Sequence, residues 1–428
     1  MSGRANKSVL ALLLAAGKGT RMKSSVPKVL HEVNGKSLLG HLLNVLGQAR
    51  VQKIVVVVGH GEKEVRSFIN QVNPRIETVR QVPQLGTGHA VLCSEKVLRK
   101  WKGDLLVIPG DAPCIQRETL LRISETHQKA NASATILTTV VSNPFGYGRI
   151  LRQGEEVIGI REELDASEEE RKISEINSGI YLFDTQTLLY YLKKLKSNNQ
   201  KGEYYLTDVI EAFVQDGLSI RSVLTETEEE ALGVNSRADL SKLETVMNKR
   251  EIEKHQKNGV TVVSPENTFI SNGANIGKDT TVYPFSWIEQ NVKIGRSCKI
   301  GPFAVIRRNS KIGDEAIVGS FVEVVRSKIG RKSRVKHLSY LGDAELGEDV
   351  NIGAGTITAN FDGIKKSKTV IGNKASIGSN SVLVAPVRVG AKAKTGAGSV
   401  VLSGCHVPTG KIAVGVPAKL INQSKKKS

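Results

Sequence analysis

Aromatic side chains make up only 4% of this 428-residue chain, cysteine occurs four times, and no run of roughly eighteen apolar residues exists. Each scarcity excludes something. The cysteines (Cys93, Cys114, Cys298, Cys405) lie far apart with no Cys-x-x-Cys pair. That spacing argues against zinc and against a disulfide framework, and it fits a reducing compartment. Without a long apolar run no helix is expected to span a membrane. Without interleaved aromatic and basic residues there is no stacking platform, so no nucleic-acid partner is expected, despite a formal charge of +19. A basic protein also suits small polyanions such as nucleotides and coenzyme A. Part of the charge is a tail, Lys425–Lys427. Arg4 and Lys7 followed by Val9–Ala16 imitate a signal peptide, but cleavage there would destroy the glycine loop described below. The chain is therefore expected to be cytoplasmic.

What the chain does have is a repeat. Ile276, Val282, Ile288, Ile294, Ile300, Ile306, Ile312, Val318 and Val324 stand six apart. Helices repeat at 3.6 residues and strands at two, so neither alone explains the period. A parallel β-helix does, because each short strand and its turn sends one aliphatic side chain to the axis. The register slips at Ile329 and continues through Val335 and Leu341, then slips again at Leu346, Ile352 and Thr358. After an insertion at 359–370 it resumes from Ile371 to Val401. Three hexads per turn give roughly seven coils. Gly277, Gly295, Gly301, Gly313 and Gly319 follow inward residues, as expected if the turns need unusual backbone angles.

Residues 9 to about 235 read differently. Val9–Ala15, Ile54–Val58 and Leu105–Ile108 are expected as buried strands, with helices over Ser37–Leu46 and Thr119–Lys129. This alternation predicts a Rossmann-like α/β domain with a mostly parallel sheet. The expected organisation is thus an α/β domain over 1–236, a helical linker over 237–258, and a β-helix with a basic tail over 259–428.

After the first strand comes Leu14-Ala15-Ala16-Gly17-Lys18-Gly19-Thr20-Arg21. Small residues let the backbone approach a ligand, and successive N–H groups can cradle phosphate oxygens. The loop is neither a Walker motif, since Gly19 follows Lys18, nor a dinucleotide fingerprint, since Met22 replaces its third glycine. Taken alone it reads by default as a tight structural turn. Asp111, just past the strand Leu105–Ile108, is placed where an α/β sheet presents ligand groups, although an aspartate there is often a turn or cap residue.

The string LAAGKGTRM followed by PKVLH resembles the signature of sugar-nucleotide pyrophosphorylases. With GHG at 59–61, QLGTGHA at 84–90, GDAP at 110–113, FGYGRI at 145–150, EINSGIY at 175–181, GEYYLTD at 202–208 and GVNSR at 233–237, nearly the whole chain resembles one family. That family is the bifunctional N-acetylglucosamine-1-phosphate uridylyltransferase / glucosamine-1-phosphate N-acetyltransferase. The resemblance implies a nucleotidyltransferase domain followed by a hexapeptide-repeat left-handed parallel β-helix. It also implies synthesis of UDP-N-acetylglucosamine from glucosamine 1-phosphate, acetyl-CoA and UTP, and a homotrimer.

Carried over by motif, Leu14, Ala15, Ala16, Gly17 and Lys28 contact the nucleotide, with Arg21 and Lys28 set against the triphosphate as catalytic cations. Gln81, Gly86 and Thr87 read uracil. Gly148, Glu162 and Asn177 hold the amino sugar, and Asp111 with Asn235 binds Mg2+. In the β-helix, His337 matches the general base, for which an imidazole suits by its pKa near cellular pH. Arg307, Tyr340, Asn351, Asn360 and Phe361 match positions around glucosamine 1-phosphate. Ala354, Ser379 and Ala397 match contacts to acetyl-CoA.

Four positions depart from the family pattern. Pro109 replaces an aromatic residue, Val325 a phosphate-binding lysine (with Arg326 adjacent), Phe361 a tyrosine, and Gly415 an arginine. A missing charged hydrogen bond costs about 1.5–3 kcal/mol. The alternative these departures leave open is a uridylyltransferase alone, with the β-helix as a trimerisation scaffold.

Overall fold

A computed structural model describes residues 7–197, 199–200 and 202–421. Arg4 and the tail Lys425–Lys427 lie outside the described residues. The chain forms two compact units, Met1–Glu244 and Thr245–Ser428.

In the first unit the three apolar runs form the strands Val9–Ala15, Lys53–Val58 and Asp104–Pro109. Val9–Ala15 pairs in parallel with both others. Such strands are aliphatic throughout because both faces of a parallel sheet are covered. Alternate residues divide between two cores: Leu10, Leu12, Val55 and Val57 in one, Ala11, Leu13, Val56 and Val58 in the other. Glu175–Asp184 runs antiparallel, pairing with Asp104–Pro109 and Ala134–Val140, and so does the hairpin Arg149–Gln153 and Glu156–Arg161 beside it. The helices expected at Ser37–Leu46 and Thr119–Lys129 form as Leu38–Gln48 and Arg117–Ala130. Ser37 caps the first by accepting a hydrogen bond from the Gly40 N–H at 3.1 Å.

The helix Arg237–Lys257 serves both units. Early in it, Glu244 accepts from the Asn34 N–H at 2.8 Å. Further on, buried Asn248 donates to Thr268 O at 2.8 Å and accepts from the Ile270 N–H at 2.9 Å. It thereby satisfies backbone groups at the open end of the solenoid, as a terminal cap must.

The second unit is a parallel β-helix of three sheets holding ten, eight and eight strands. The tenth is an antiparallel return, Lys419–Ile421. Eight coils are complete, not seven. The first was hidden because a turn at Pro265–Asn267 spaces Val262 and Ile270 eight apart. Val407 closes the eighth coil, and beyond it alanine, at Ala413, takes the inward place of a further, incomplete turn. The segment from 403 onward carries the strands His406–Val407, Ile412–Val414 and Lys419–Ile421.

The glycines serve a different purpose from the one expected. Gly277, Gly295, Gly313 and Gly319 do not adopt positive φ; of the five, only Gly301 does. The left-handed corner residues are mostly larger, such as Asp279, Ser297 and Glu315. A Cβ on Gly313 would lie 2.7 Å from Arg331 N, and one on Gly319 would lie 2.1 Å from Lys336 O. These glycines are required by the stacking of one coil's backbone on the next. The inward Thr358 is also accommodated: its hydroxyl accepts from the Gly342 N–H at 2.8 Å and donates to Gly342 O at 3.1 Å.

Candidate active sites

The glycine loop lies at the carboxyl ends of the parallel strands, where open α/β sheets hold ligands. Neighbouring motifs clamp it. His60 N–H donates to Ala16 O at 3.1 Å, and Gln84 Nε2 donates to the same oxygen at 2.8 Å. Gly61 has φ 66, and a Cβ there would meet Pro27 at 2.3 Å. That is why the Gly-His-Gly motif must pack beside Pro27-Lys28. Gly19, with φ 59, lets the chain turn where a Cβ would lie 2.8 Å from Lys28 Cβ. Met22 is buried and anchors the turn.

Lys28 Nζ hydrogen-bonds Asp111 Oδ2 and lies 3.3 Å from Asn235 Oδ1. The two expected metal ligands therefore converge on one cationic group. Carboxylate and amide oxygens are hard donors, and Mg2+ is commonly held by one or two protein oxygens together with substrate phosphates. The donor set fits the ion. Asp239 fixes the support by accepting from the backbone of Asn235 and Ser236 at 3.0 and 2.8 Å. Val234 N–H donates to Asp111 O at 2.9 Å.

Above the loop opens a cavity of about 570 Å³. It brings together Leu14, Ala16, Gly17, Gln81, Gly86, Thr87, Asp111, Glu162 and Asn177. Gly148 stands behind Asn177, its carbonyl accepting the Asn177 N–H at 2.8 Å. Ala15 is buried beneath the loop. Lys28 reaches the site through Asp111. Arg21 is exposed and is not among the lining residues; its charge opposes the rise in the Tyr147 hydroxyl's pKa, which burial drives.

Several lining residues were not singled out from the sequence. Tyr181 Oη accepts from Asn177 Nδ2 at 2.6 Å, and Thr207 Oγ1 donates to Glu162 Oε1 at 3.2 Å. Tyr181 and Thr207 lie inside the quoted motifs EINSGIY and GEYYLTD, so their signal was present but unassigned. Pro109 lines the cavity too, and a Cβ on Gly179 would sit 3.0 Å from its ring.

Beside Glu162 lies a second cavity, of about 580 Å³, lined by Asp165, Asp208 and Glu211 among others. Burial, reinforced by the charges of Glu162, Glu211 and Asp165, pushes the Asp208 carboxyl up to about 6. Between 3.8 and about 6 the folded chain holds a proton that the unfolded chain has released. Stability therefore falls as pH rises through that window and stays lowered above it. Asp208→Asn is expected to stabilise the protein at pH 7.5 by about 1 kcal/mol, after screening of a half-exposed group, with little change at pH 4. Urea unfolding at both pH values checks this; an equal effect at both would contradict it.

On the β-helix, Val335 pairs with Ile352 and Ile352 with Ile377. Two residues further along each strand, His337, Ala354 and Ser379 fall in one column. Ser376 pairs with Lys394, which extends the column to Ala397. The expected base thus stands in line with the expected acetyl-CoA contacts, one per coil and roughly 4.8 Å apart. His337 is exposed and makes no side-chain hydrogen bond among the described residues.

One face away, Arg307 donates to Glu323 at 2.7 Å and Glu289 at 3.0 Å. Arg326 grips Asp343 through two bonds of 2.8 and 2.7 Å, and Asn360 donates to the same carboxylate at 2.5 Å. The Arg326 bonds hold the Asp343 carboxyl below the usual carboxylate range. Arg326, the neighbour of Val325, is thus committed to Asp343 in this structure. Tyr340 Oη and Asn360 Nδ2 flank Gly342, where a Cβ would come within 2.6 and 2.7 Å of them. Asn351 points outward between Arg334 and Ser376. Phe361 is exposed in the inserted loop, whose base is closed by Ser367 N–H donating to Asn360 O at 2.8 Å. Gly415 has φ 97.

The nucleotidyl transferase family matches residues 10–228, and the GMPPB C-terminal domain family matches residues 264–361. Bifunctional protein GlmU of Clostridium perfringens (strain SM101 / Type A) is 41% identical over 437 aligned residues, covering 94% of this chain and 95% of that protein. The same-named protein of Fervidobacterium nodosum is 42% identical, covering 96% of each. That of Clostridium botulinum (strain Eklund 17B / Type B) is 43% identical, covering 89% of this chain and 90% of its own length. The chain belongs to the nucleotidyl transferase family and, over nearly its full length, to the bifunctional GlmU family that its motifs resemble.

Proposed function

We propose that the loop-lined cavity is the uridylyl-transfer centre and the His337 column the acetyl-transfer centre of one enzyme that makes UDP-N-acetylglucosamine. The observation that carries this reading is the convergence of Lys28, Asp111 and Asn235 beneath a glycine loop. In the first centre a phosphate oxygen of N-acetylglucosamine 1-phosphate attacks the α-phosphorus of UTP, and the bond to pyrophosphate breaks. Gly17 and its neighbours cradle phosphate oxygens, Lys28 offsets their charge, Arg21 joins it once its side chain swings in from the exposed turn, and Asn177 and Glu162 orient the sugar. Asp111 and Asn235 would hold Mg2+, which supplies further charge neutralisation when bound.

In the second centre the amine of glucosamine 1-phosphate attacks the thioester carbonyl of acetyl-CoA. His337 takes the amine's proton and the coenzyme A thiol leaves. Arg307 and Arg326 are cations near this column that could meet the sugar phosphate. Both are already paired with carboxylates, so a phosphate must compete with Glu323, Glu289 and Asp343. The test is a paired assay on one preparation: pyrophosphate release from UTP, and free thiol from acetyl-CoA. Thiol release at background would favour the scaffold reading. No described helix is long and apolar enough to cross a membrane, and we place the enzyme in the cytoplasm.

Assembly as a trimer belongs to the same reading. One outer face of the β-helix carries Phe269, Trp287, Val305 and Ile357 pointing out, in a row that Glu323 and Tyr340 interrupt. At its corner Phe285, Phe303 and Phe321 stack at 4.9 Å, all exposed and all with positive φ. Bulky residues in that conformation are strained and persist where something else requires them. Ile364, at the tip of the inserted loop, is 93% exposed. A second and third copy of this surface would cover these groups. Phe303→Asp is expected to lower the mass in light scattering from that of three chains to one of 46.3 kDa. Acetyl transfer should fall with it while uridylyl transfer persists. A wild-type monomer with full acetyl transfer would contradict the assignment.

A further inference from the structure

Gln81 is 4% exposed and lines the nucleotide cavity. Its Nε2 group has two hydrogens, and both are engaged. One goes to Gly86 O at 2.9 Å, and the other to His89 Nδ1 at 3.3 Å. Because Nδ1 faces a donor it must accept, so the ring proton resides on Nε2, 3.7 Å from Cys93 Sγ. His89 sits one turn before Cys93 on the helix Thr87–Cys93, tilted against Tyr204 at 6.5 Å between ring centres. With both N–H groups occupied, Gln81 has only its carbonyl oxygen left to offer a ligand.

An amide carbonyl accepts and cannot donate. Uracil presents an N3–H flanked by two carbonyls, whereas cytosine has a lone pair at N3. An acceptor facing that lone pair is left unpaired in a buried site, which is how hydrogen-bonding sites discriminate strongly. From this geometry we infer that His89 is a specificity-determining positioning residue. It pins the Gln81 amide so that the oxygen faces the base, and so makes the site select uracil over cytosine. This rests on the reading of Gln81 as the residue that contacts the base.

The experiment compares UTP with CTP in the pyrophosphate-release assay for wild type, His89→Leu, His89→Asn and Gln81→Leu. An asparagine oxygen approximates the acceptor at Nδ1, while leucine fills space without one. His89→Leu should raise KM for UTP and lower the UTP-to-CTP ratio of kcat/KM about ten-fold, with kcat at saturating UTP within about two-fold of wild type. His89→Asn should restore most of the ratio. Should His89→Leu lack activity at saturating UTP, His89→Phe, which keeps a ring beside Tyr204 but has no nitrogen, takes its place. A wild-type ratio in the apolar variant, or an asparagine variant no better than it, overturns the inference. If Gln81→Leu lowers the ratio while the His89 variants do not, Gln81 contacts the base without help from His89. If Gln81→Leu leaves the ratio unchanged, the base-contact reading falls and the role of His89 with it.

Discussion

Asp111→Asn is expected to lower kcat for pyrophosphate release by about 10²–10³-fold, while thiol release from acetyl-CoA by the same sample stays at the wild-type level. The substitution keeps the shape of the side chain and removes its charge. Lys28 and Asp111 are both mostly shielded from solvent, at 16% and 15% side-chain exposure, so their mutual attraction is weakly screened. Asparagine leaves Lys28 a hydrogen-bond acceptor but no counter-charge, and it leaves a divalent ion two neutral ligands. Raising magnesium should recover only part of the loss. Full magnesium-dependent turnover in the variant would remove Asp111 from the metal site.

His337→Ala carries the second large effect, a fall of about 10²–10⁴-fold in acetyl transfer at saturating substrates, with uridylyl transfer unaltered. His337 is exposed at the end of the strand Arg334–His337, and its ring has no partner among the described residues to hold it for a structural purpose. Its place in the column with Ala354, Ser379 and Ala397 would align it with the thioester if those residues contact acetyl-CoA as proposed. An unchanged rate of thiol release would transfer the base to another group. Loss of both activities would point to misfolding instead.

Much of the architecture could be read in the residues because two strong periodicities do not overlap. Val9–Ala15 forms over the predicted range, and the hexad from Ile276 to Val324 runs inward without a break. What escaped was set by tertiary packing. Nothing local reveals that Gly313 and Gly319 make room for the next coil and leave the left-handed angle to their neighbours. The first coil was missed because a short helical turn lengthened its spacing, and the strand beyond the eighth coil because Ala413 gives a weak hydrophobic signal. In the first centre, the motifs located Lys28, Asp111 and Asn235, which lie far apart in sequence and meet in space. Arg21, named from the same loop, lies outside the cavity lining, because the turn at Thr20–Met22 buries Met22 and leaves the arginine at the surface. Tyr181 and Thr207 went unassigned because they act through Asn177 and Glu162, a relation visible only once side chains are placed.

The paired carboxylates around Arg307 and Arg326 bear on the departure at Val325. Val325 offers no cation where the family resemblance implies a lysine, and the adjacent guanidinium is already occupied. Weak binding of glucosamine 1-phosphate, seen as a raised KM with kcat preserved, is the expected consequence.

In the proposed uridylyl-transfer centre, phosphates of a nucleotide lie on the Gly17–Gly19 backbone while Asp111 and Asn235 share a divalent ion. A crystal structure of the full chain with UTP and magnesium tests it most directly. The triphosphate is expected against that backbone, the ion between the Asp111 carboxylate and the Asn235 amide, and Lys28 released from Asp111 toward a phosphate. Nucleotide bound elsewhere, or an ion that touches neither residue, would contradict it.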